Sequence, residues 1–152
     1  MTKTITRKRA TVKSDGVGKQ RHNLYADVLN RINEAIENGF YLEAITLLES
    51  IISDRLESLC NEQTCSDKNS FDCLGDLIAE AKKYNISESW IDILKRLKIW
   101  KDARNNALHE IAKIEAGDTS SFADKYIPCK SHEKKKKKLF REVDREIRKY
   151  RK

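Results

Sequence analysis

Apolar residues recur at the spacing of amphipathic helices along most of the chain. The first such run predicts a helix over about residues 23–38, which Gly39 would end. A second helix is predicted over about residues 40–61, and the short Asn-Gly link between the two implies an antiparallel pair. A third is predicted over about residues 71–84, with Ser70 as its cap. The apolar positions of the three runs are Leu24, Val28, Ile32 and Ile36; Ile45, Leu48, Ile52, Leu56 and Leu59; and Leu74, Leu77, Ile78 and Ala81.

Two further helices complete the predicted order. The fourth covers about residues 90–114 without Gly or Pro, and Ser89 with Asp92 has the spacing of a capping box. Residues 116–131 are predicted to form a loop, and residues 132–152 a basic helix with a thin apolar stripe. No stretch alternates as a strand would. The pattern therefore predicts an all-α protein, a four-helix up-and-down bundle over residues 23–115 with a basic arm before it and a basic helix after it.

The charge of the chain is unevenly distributed. Its 152 residues have a net charge of +7 and suit a single domain. Residues 1–22 hold seven Lys/Arg against one acid, and residues 130–152 hold twelve against four, so residues 23–129 are net acidic. We expect residues 1–22 to be disordered. A basic chain suggests a nucleic-acid partner, but this inference applies to the two tails rather than to the body. We also expect the tails to affect RNA affinity without affecting the fold.

The basic C-terminal helix has four interpretations. Its Lys134–Lys138 run is typical of a solvated helix start or of a patch that follows an RNA backbone. The residues after it are amphipathic enough to lie on an anionic membrane, although four acids in this tail argue against that as the main role. The tail can also dock on the acidic body.

Several classes of protein and site are disfavoured. The N-terminus lacks the apolar run of a secretory signal, and no window approaches the length of a membrane span. Cys60, Cys65, Cys73 and Cys129 have neither CxxC nor zinc-finger spacing, which is typical of reduced thiols in a cytoplasmic protein. His22 and His132 lie in the tails and are expected on the solvated surface. We expect no metal site and no cofactor.

Arg104 interrupts the apolar seam of the fourth helix. Read as heptads, seven of eight seam positions are apolar, and the exception is this arginine. Burying a guanidinium there costs on the order of several kcal/mol unless it is paired or kept wet. The residue therefore marks a site or an interface, unless it extends to solvent from the end of the seam or pairs with an acid such as Asp54. The eight positions are Trp90, Ile93, Leu97, Trp100, Arg104, Ala107, Ile111 and Ile114.

His109 follows Arg104 by five residues and does not share its face. At about 100° per residue, the two side chains are separated by about 140° around the helix. Asn105 and His109 are four apart and do share a face, so the amide can hydrogen-bond the imidazole and fix its tautomer. A site that uses both Arg104 and His109 needs either an arginine that reaches around the helix or a second copy of the chain.

The segment "RNNALH", residues 104–109, resembles the R-x4-6-H motif of the HEPN superfamily, whose members typically have a polar residue directly after the arginine. The resemblance covers about residues 23–115 and implies a compact helical bundle. It also implies a metal-independent endoribonuclease of a bacterial defence or toxin–antitoxin system, with Arg104, Asn105 and His109 as catalytic residues. The implied partners are RNA, a second copy of the chain across a shared cleft, and an antitoxin or other protein.

These residue types suit RNA cleavage. The 2′-hydroxyl of RNA is a built-in nucleophile, histidine transfers protons near neutral pH, and arginine stabilises charge on the phosphorane. Asn105 would orient rather than react. We expect the dimer interface to include residues 100–111, with Trp100 as its apolar anchor. Two alternatives stay open: a non-catalytic HEPN-like module that binds nucleotide, RNA or protein, and a helical interaction protein in which the Arg-to-His spacing is accidental.

Overall fold

The computed structural model describes residues 17–65, 72–84, 86–113 and 136–150, and in this part of the chain all regular secondary structure is helical. The all-α prediction is confirmed. The helices are α1 (Val17–Glu37), α2 (Tyr41–Thr64), α3 (Leu74–Ala81), α4 (Glu88–Ala112) and α5 (Lys136–Tyr150).

Three helix starts differ from the prediction. α1 begins at Val17, so the last residues of the expected disordered arm are helical. α3 begins at Leu74 and its N-cap residue is Cys73, while the predicted cap Ser70 lies outside the described residues. α4 begins at Glu88 with Ser87 as its N-cap residue, so the predicted capping box at Ser89 is wrong. The predicted loop over residues 116–131 also lies outside the described residues.

α1 and α2 form the antiparallel pair that the Asn-Gly link predicts. Gly39 has a φ of 79°, a left-handed conformation that glycine adopts without steric cost, and the amide of Phe40 donates to the carbonyl of Ala35 at 2.7 Å. Near this turn, Arg31 Nε donates to Glu43 Oε1 at 2.8 Å. The tight turn therefore fixes the register of the two helices.

α2 is the central helix of the fold. It packs against α1, α3 and α5, while α4 packs against α3 and α5. The helices α2, α3, α4 and α5 thus surround the core, and α1 adds its buried residues Ile32 and Ala35 to the same core along α2. The residues at most 2% exposed include Ile52, Leu56 and Leu59 of α2 and Trp90, Leu94 and Leu97 of α4.

The direction of α3 departs from a simple up-and-down bundle. Near its start, Gly75 lies beside Lys101 of α4, and at its end the carbonyl of Ala81 accepts a hydrogen bond from Trp90 Nε1 at 3.2 Å. α3 is therefore antiparallel to α4. α2 is also antiparallel to α4, because Glu49 in the first half of α2 pairs with Arg104 in the second half of α4, while Arg55, further along α2, reaches α5 beside the residue that pairs with Arg96, earlier in α4. α3 therefore runs in the same direction as α2.

α5 is part of the core. Leu139, Phe140, Val143 and Ile147 are buried, the last two completely. The interpretation of this helix as an appendage outside the bundle is therefore wrong, and so is the expectation that the C-terminal tail does not affect the fold. The membrane interpretation fails for the same reason, because the apolar stripe of α5 is occupied by the protein itself. Docking on the body was the correct alternative.

The contacts of α5 also place its acids against arginines of the body. Arg55 of α2, which is buried, forms an ion pair with Asp144, and Arg96 of α4 donates to Glu142. Arg55 also lies over the ring of Tyr25 of α1, 5.5 Å from its centroid. A buried guanidinium is tolerated when a carboxylate and an aromatic face replace its water. α1, α2 and α5 therefore meet at a polar cluster inside the fold.

None of the helices in the described ranges is long and apolar enough to cross a membrane.

Candidate functional site

The heptad seam of α4 is confirmed as the buried face of this helix. Trp90, Ile93, Leu97, Trp100 and Ala107 are all buried, and Ile111 packs on the core from its edge, while Ile114 lies outside the described residues. Trp100 is only 3% exposed and belongs to the core. Its expected role as the apolar anchor of a dimer interface is therefore wrong.

Arg104 lies in the middle of this buried face and reaches α2. Its Nη2 donates to Oε1 of Glu49, and the side chains of the two residues are 14% and 25% exposed. The pair is thus close to the surface but mostly shielded from water, where a charge-assisted hydrogen bond is stronger than on an open surface. The arginine is paired with an acid, as one interpretation of the sequence held.

The acid is Glu49 rather than the Asp54 that the sequence suggested. Asp54 lies one and a half turns further along α2, where it accepts a hydrogen bond from Tyr25 and lies 3.9 Å from Nε of Arg21. Burial and the charge of Asp54 raise the pKa of the Tyr25 hydroxyl, so this tyrosine remains a neutral donor. Asp54 therefore belongs to the contact between α1 and α2 and not to the Arg104 site.

One donor of the Arg104 guanidinium, its Nε, is buried without a hydrogen-bond partner among the described residues. A buried donor left without a partner costs about 1–3 kcal/mol, more when it carries charge. The site therefore holds Arg104 by one carboxylate while leaving part of its hydrogen-bonding capacity unused, an arrangement that favours binding of an anion once Nε is uncovered.

His109 is exposed in the last turn of α4, and Asn105 is partly buried one turn before it. Among the described residues, no hydrogen bond joins the two side chains, so the predicted fixing of the imidazole by Asn105 is not seen in the isolated chain. His109 lies about 140° around the helix from Arg104. One chain therefore presents the arginine toward α2 and the histidine toward solvent, and does not bring both to one point.

The outward side of α4 carries exposed apolar residues on the same side as His109. Ile91 and Ile99 are 55% and 67% exposed. Ile91 and His109 are eighteen residues apart, which is about five helical turns, so they share one line along the helix. Ile99 precedes His109 by ten residues and lies about 80° around the helix from that line. Lys95 and Lys98 lie between the two isoleucines and are exposed as well.

Glu49 is the residue of this site that the sequence analysis missed. It follows Ile45 by four residues and precedes Ile52 by three, so it lies on the apolar stripe of α2 as Arg104 lies on that of α4. Two opposite charges on the apolar stripes of two helices in one bundle are a signal for a buried pair. That signal was present in the sequence.

The remaining thiols and histidines lie elsewhere. Cys60 is buried, and burial raises the pKa of its thiol to about 11, while Cys65 and Cys73 are exposed free cysteines. His22 is exposed on α1, as expected, whereas Cys129 and His132 lie outside the described residues. In the described part of the chain, no three or more His, Cys, Asp or Glu residues are grouped as a metal site would need.

Comparison with known proteins finds no protein-family model, no curated protein and no solved structure that matches this chain.

Proposed function

We propose that the protein is a metal-independent endoribonuclease of the HEPN type, acting as a homodimer in a bacterial defence or toxin–antitoxin system. The observation that carries the proposal is the pairing of a shielded arginine with an exposed histidine on one helix of a helical bundle. Arg104 is held at the edge of the core by Glu49, and His109 stands free in solvent. The first suits phosphate binding and the second proton transfer.

The angle between the two residues favours a site built from two chains. Because His109 points away from the cleft between α2 and α4, its partner arginine is best supplied by a second copy. The exposed Ile91 and Ile99 on the same side of α4 provide apolar area for such a contact. Two histidines would then face one cleft, one as general base for the 2′-hydroxyl and the other as general acid for the leaving 5′-oxygen.

Glu49 has a defined role in this proposal. It neutralises Arg104 in the free protein, and an RNA phosphate would compete with it for the guanidinium. Removing Glu49 should therefore strengthen phosphate binding while destabilising the bundle, because the arginine loses its partner. Asn105, adjacent to the arginine and partly buried, would orient the phosphate or the histidine rather than react.

The second candidate is a non-catalytic HEPN-like module that binds RNA, nucleotide or a protein. The Arg104–Glu49 pair favours it, since an arginine already paired with a carboxylate within the chain serves stability without any ligand. The two candidates differ in the role of His109, which only the nuclease requires.

Cleavage of a mixed-sequence RNA in excess EDTA tests the proposal. We expect the wild-type protein to cut, and His109→Ala to lose activity by on the order of 10²-fold or more. Asn106→Ala is the matched control, because Asn106 is also exposed on the last turns of α4 and should keep full activity. Binding without cutting by the wild-type protein would favour the module. Equal activity of His109→Ala and Asn106→Ala would contradict the nuclease.

A further inference from the structure

The acidic and the basic residues of α5 lie on different sides of the helix. Its three acids all face the body: Glu142 accepts from Arg96, Asp144 pairs with Arg55, and Glu146 accepts from Ser87 at 3.0 Å. Since the acids are drawn inward, the opposite side of the helix is left with basic residues. The side chains of Lys138, Arg141, Arg145, Arg148 and Lys149 are all exposed.

Only some of these basic residues are neutralised within the protein. Arg148 Nε lies 2.7 Å from Asp144 Oδ2, and Lys149 Nζ lies 2.7 Å from Glu146 Oε1. Lys138, Arg141 and Arg145 have no acidic partner in the described part of the chain. These three residues, hereafter the outer row, span an arc of about 60° around the helix and about 10 Å along it.

We propose that the outer row of α5 binds the phosphate backbone of RNA. Three unpaired cations within about 10 Å along one side of a helix match a polyanion, since each of them can neutralise one phosphate of the strand. The row is also rigid, because Val143 and Ile147 on the other side of α5 are fully buried and fix the helix to the bundle. Preorganised cations lose less freedom on binding than cations on a flexible tail.

An RNA is a better match for this surface than a membrane. A helix that lies on a bilayer inserts its apolar face between the lipids, and binding grows with the apolar area buried. The apolar residues of α5, Leu139, Phe140, Val143 and Ile147, are instead buried in the core. Within its described residues, the exposed side of α5 therefore carries basic residues with no apolar residues to insert into lipid, and such a surface suits a soluble polyanion.

The inference rests on the proposed function for the choice of RNA as the polyanion, but it concerns binding and not cleavage. It adds to the Arg104 site a second surface on another helix, one that would hold the strand while the histidine acts. Phosphate contacts of this kind position a nucleic acid without reading its sequence. We therefore expect the outer row to act on RNA of any sequence.

Fluorescence anisotropy with a labelled single-stranded RNA in EDTA, as a function of salt, tests the inference on the full chain. The variant Lys138→Gln/Arg141→Gln/Arg145→Gln should bind on the order of 10²-fold more weakly at about 0.1 M salt. The slope of the logarithm of its binding constant against the logarithm of the salt concentration should be smaller in magnitude by about 2, because each lost phosphate contact removes about 0.7. The triple variant Lys138→Arg/Arg141→Lys/Arg145→Lys, which keeps every charge, should bind within about threefold of the wild type.

The matched control is Arg31→Gln/Lys82→Gln/Lys83→Gln, which removes the same charge from exposed positions outside α5 and away from the proposed dimer contact on α4. If this control loses as much affinity as the outer-row variant, net charge and not the row explains binding, and the inference is overturned. It is also overturned if the outer-row variant binds RNA normally, or if it instead loses binding to phosphatidylserine vesicles. Loss of RNA binding by the outer-row variant in a protein that never cuts RNA would sustain this inference while refuting the nuclease.

Discussion

Replacing Ile147 with alanine should unfold the protein more easily, because α5 is part of the core. Ile147 is fully buried, and removing its methyl and methylene groups leaves a cavity between α5 and its neighbours. Substitutions of this type cost about 2–5 kcal/mol, and a completely buried site falls in the middle of that range, at about 3 kcal/mol. For a chain of this length, a loss of this size lowers Tm by roughly 6–12 °C.

Urea denaturation followed by circular dichroism measures the change directly. Ile147→Val should lose only about 1 kcal/mol, because it removes one methylene group and leaves a smaller cavity. Arg145→Ala, on the exposed side of the same helix, should stay within about 0.5 kcal/mol of the wild type. If Ile147→Ala were as stable as Arg145→Ala, α5 would not belong to the core, and the position of the outer row would lose its basis.

Three further predictions concern the charges and thiols of the fold. Asp144→Ala should lower the free energy of unfolding, measured by urea denaturation, by about 3 kcal/mol, because it leaves the buried guanidinium of Arg55 unpaired. Asp92→Ala removes an exposed carboxylate and should lower it by less than about 0.5 kcal/mol. Iodoacetamide should modify Cys65 in the native protein but Cys60 only after unfolding, as peptide mass spectrometry can show, since burial holds the Cys60 thiol in its protonated form at neutral pH. Hydrogen bonds from Lys149 and Ser87 lower the pKa of Glu146 below its ordinary value. The contribution of the ionised Glu146 to stability should therefore be complete above about pH 5 and be lost as the pH falls through the ordinary glutamate range and below. Glu146→Gln should reduce this acid dependence of the free energy of unfolding in urea titrations.

The helical periodicity of the sequence was sufficient to predict much of the fold. The stripes of α2 and α4 were confirmed because an apolar repeat over several turns requires a buried face. The stripe of α1 was confirmed only in part, since Ile32 is buried but Leu24 is 59% exposed. The position of α5 was not predictable in the same way. Its thin stripe indicates an amphipathic helix, but periodicity does not identify the surface that covers the stripe. The run of lysines before it suggested a solvated tail, while the decisive contacts come from acids that pair with distant arginines.

The candidate site was predicted in part. The sequence identified Arg104 as a charge on an apolar seam, and the structure places it on the buried face of α4 as expected. Its partner depended on the register between α2 and α4, which helical periodicity does not fix. Glu49 and Asp54 were therefore both available, and only the packing selects Glu49. The direction of α3 was undetermined for a similar reason, since a polar connection of this length allows either direction of return.

The central claim is that His109 and Arg104 cleave RNA through its own 2′-hydroxyl, and one substrate pair tests it most directly. A synthetic RNA with a single preferred cleavage position is compared with the same strand carrying a 2′-deoxy residue at that position, both in excess EDTA. We predict that the RNA is cut to a 2′,3′-cyclic phosphate or 3′-phosphate end and that the deoxy strand resists at that position. Cutting of both strands at equal rates, or products with 5′-phosphate ends, would contradict it.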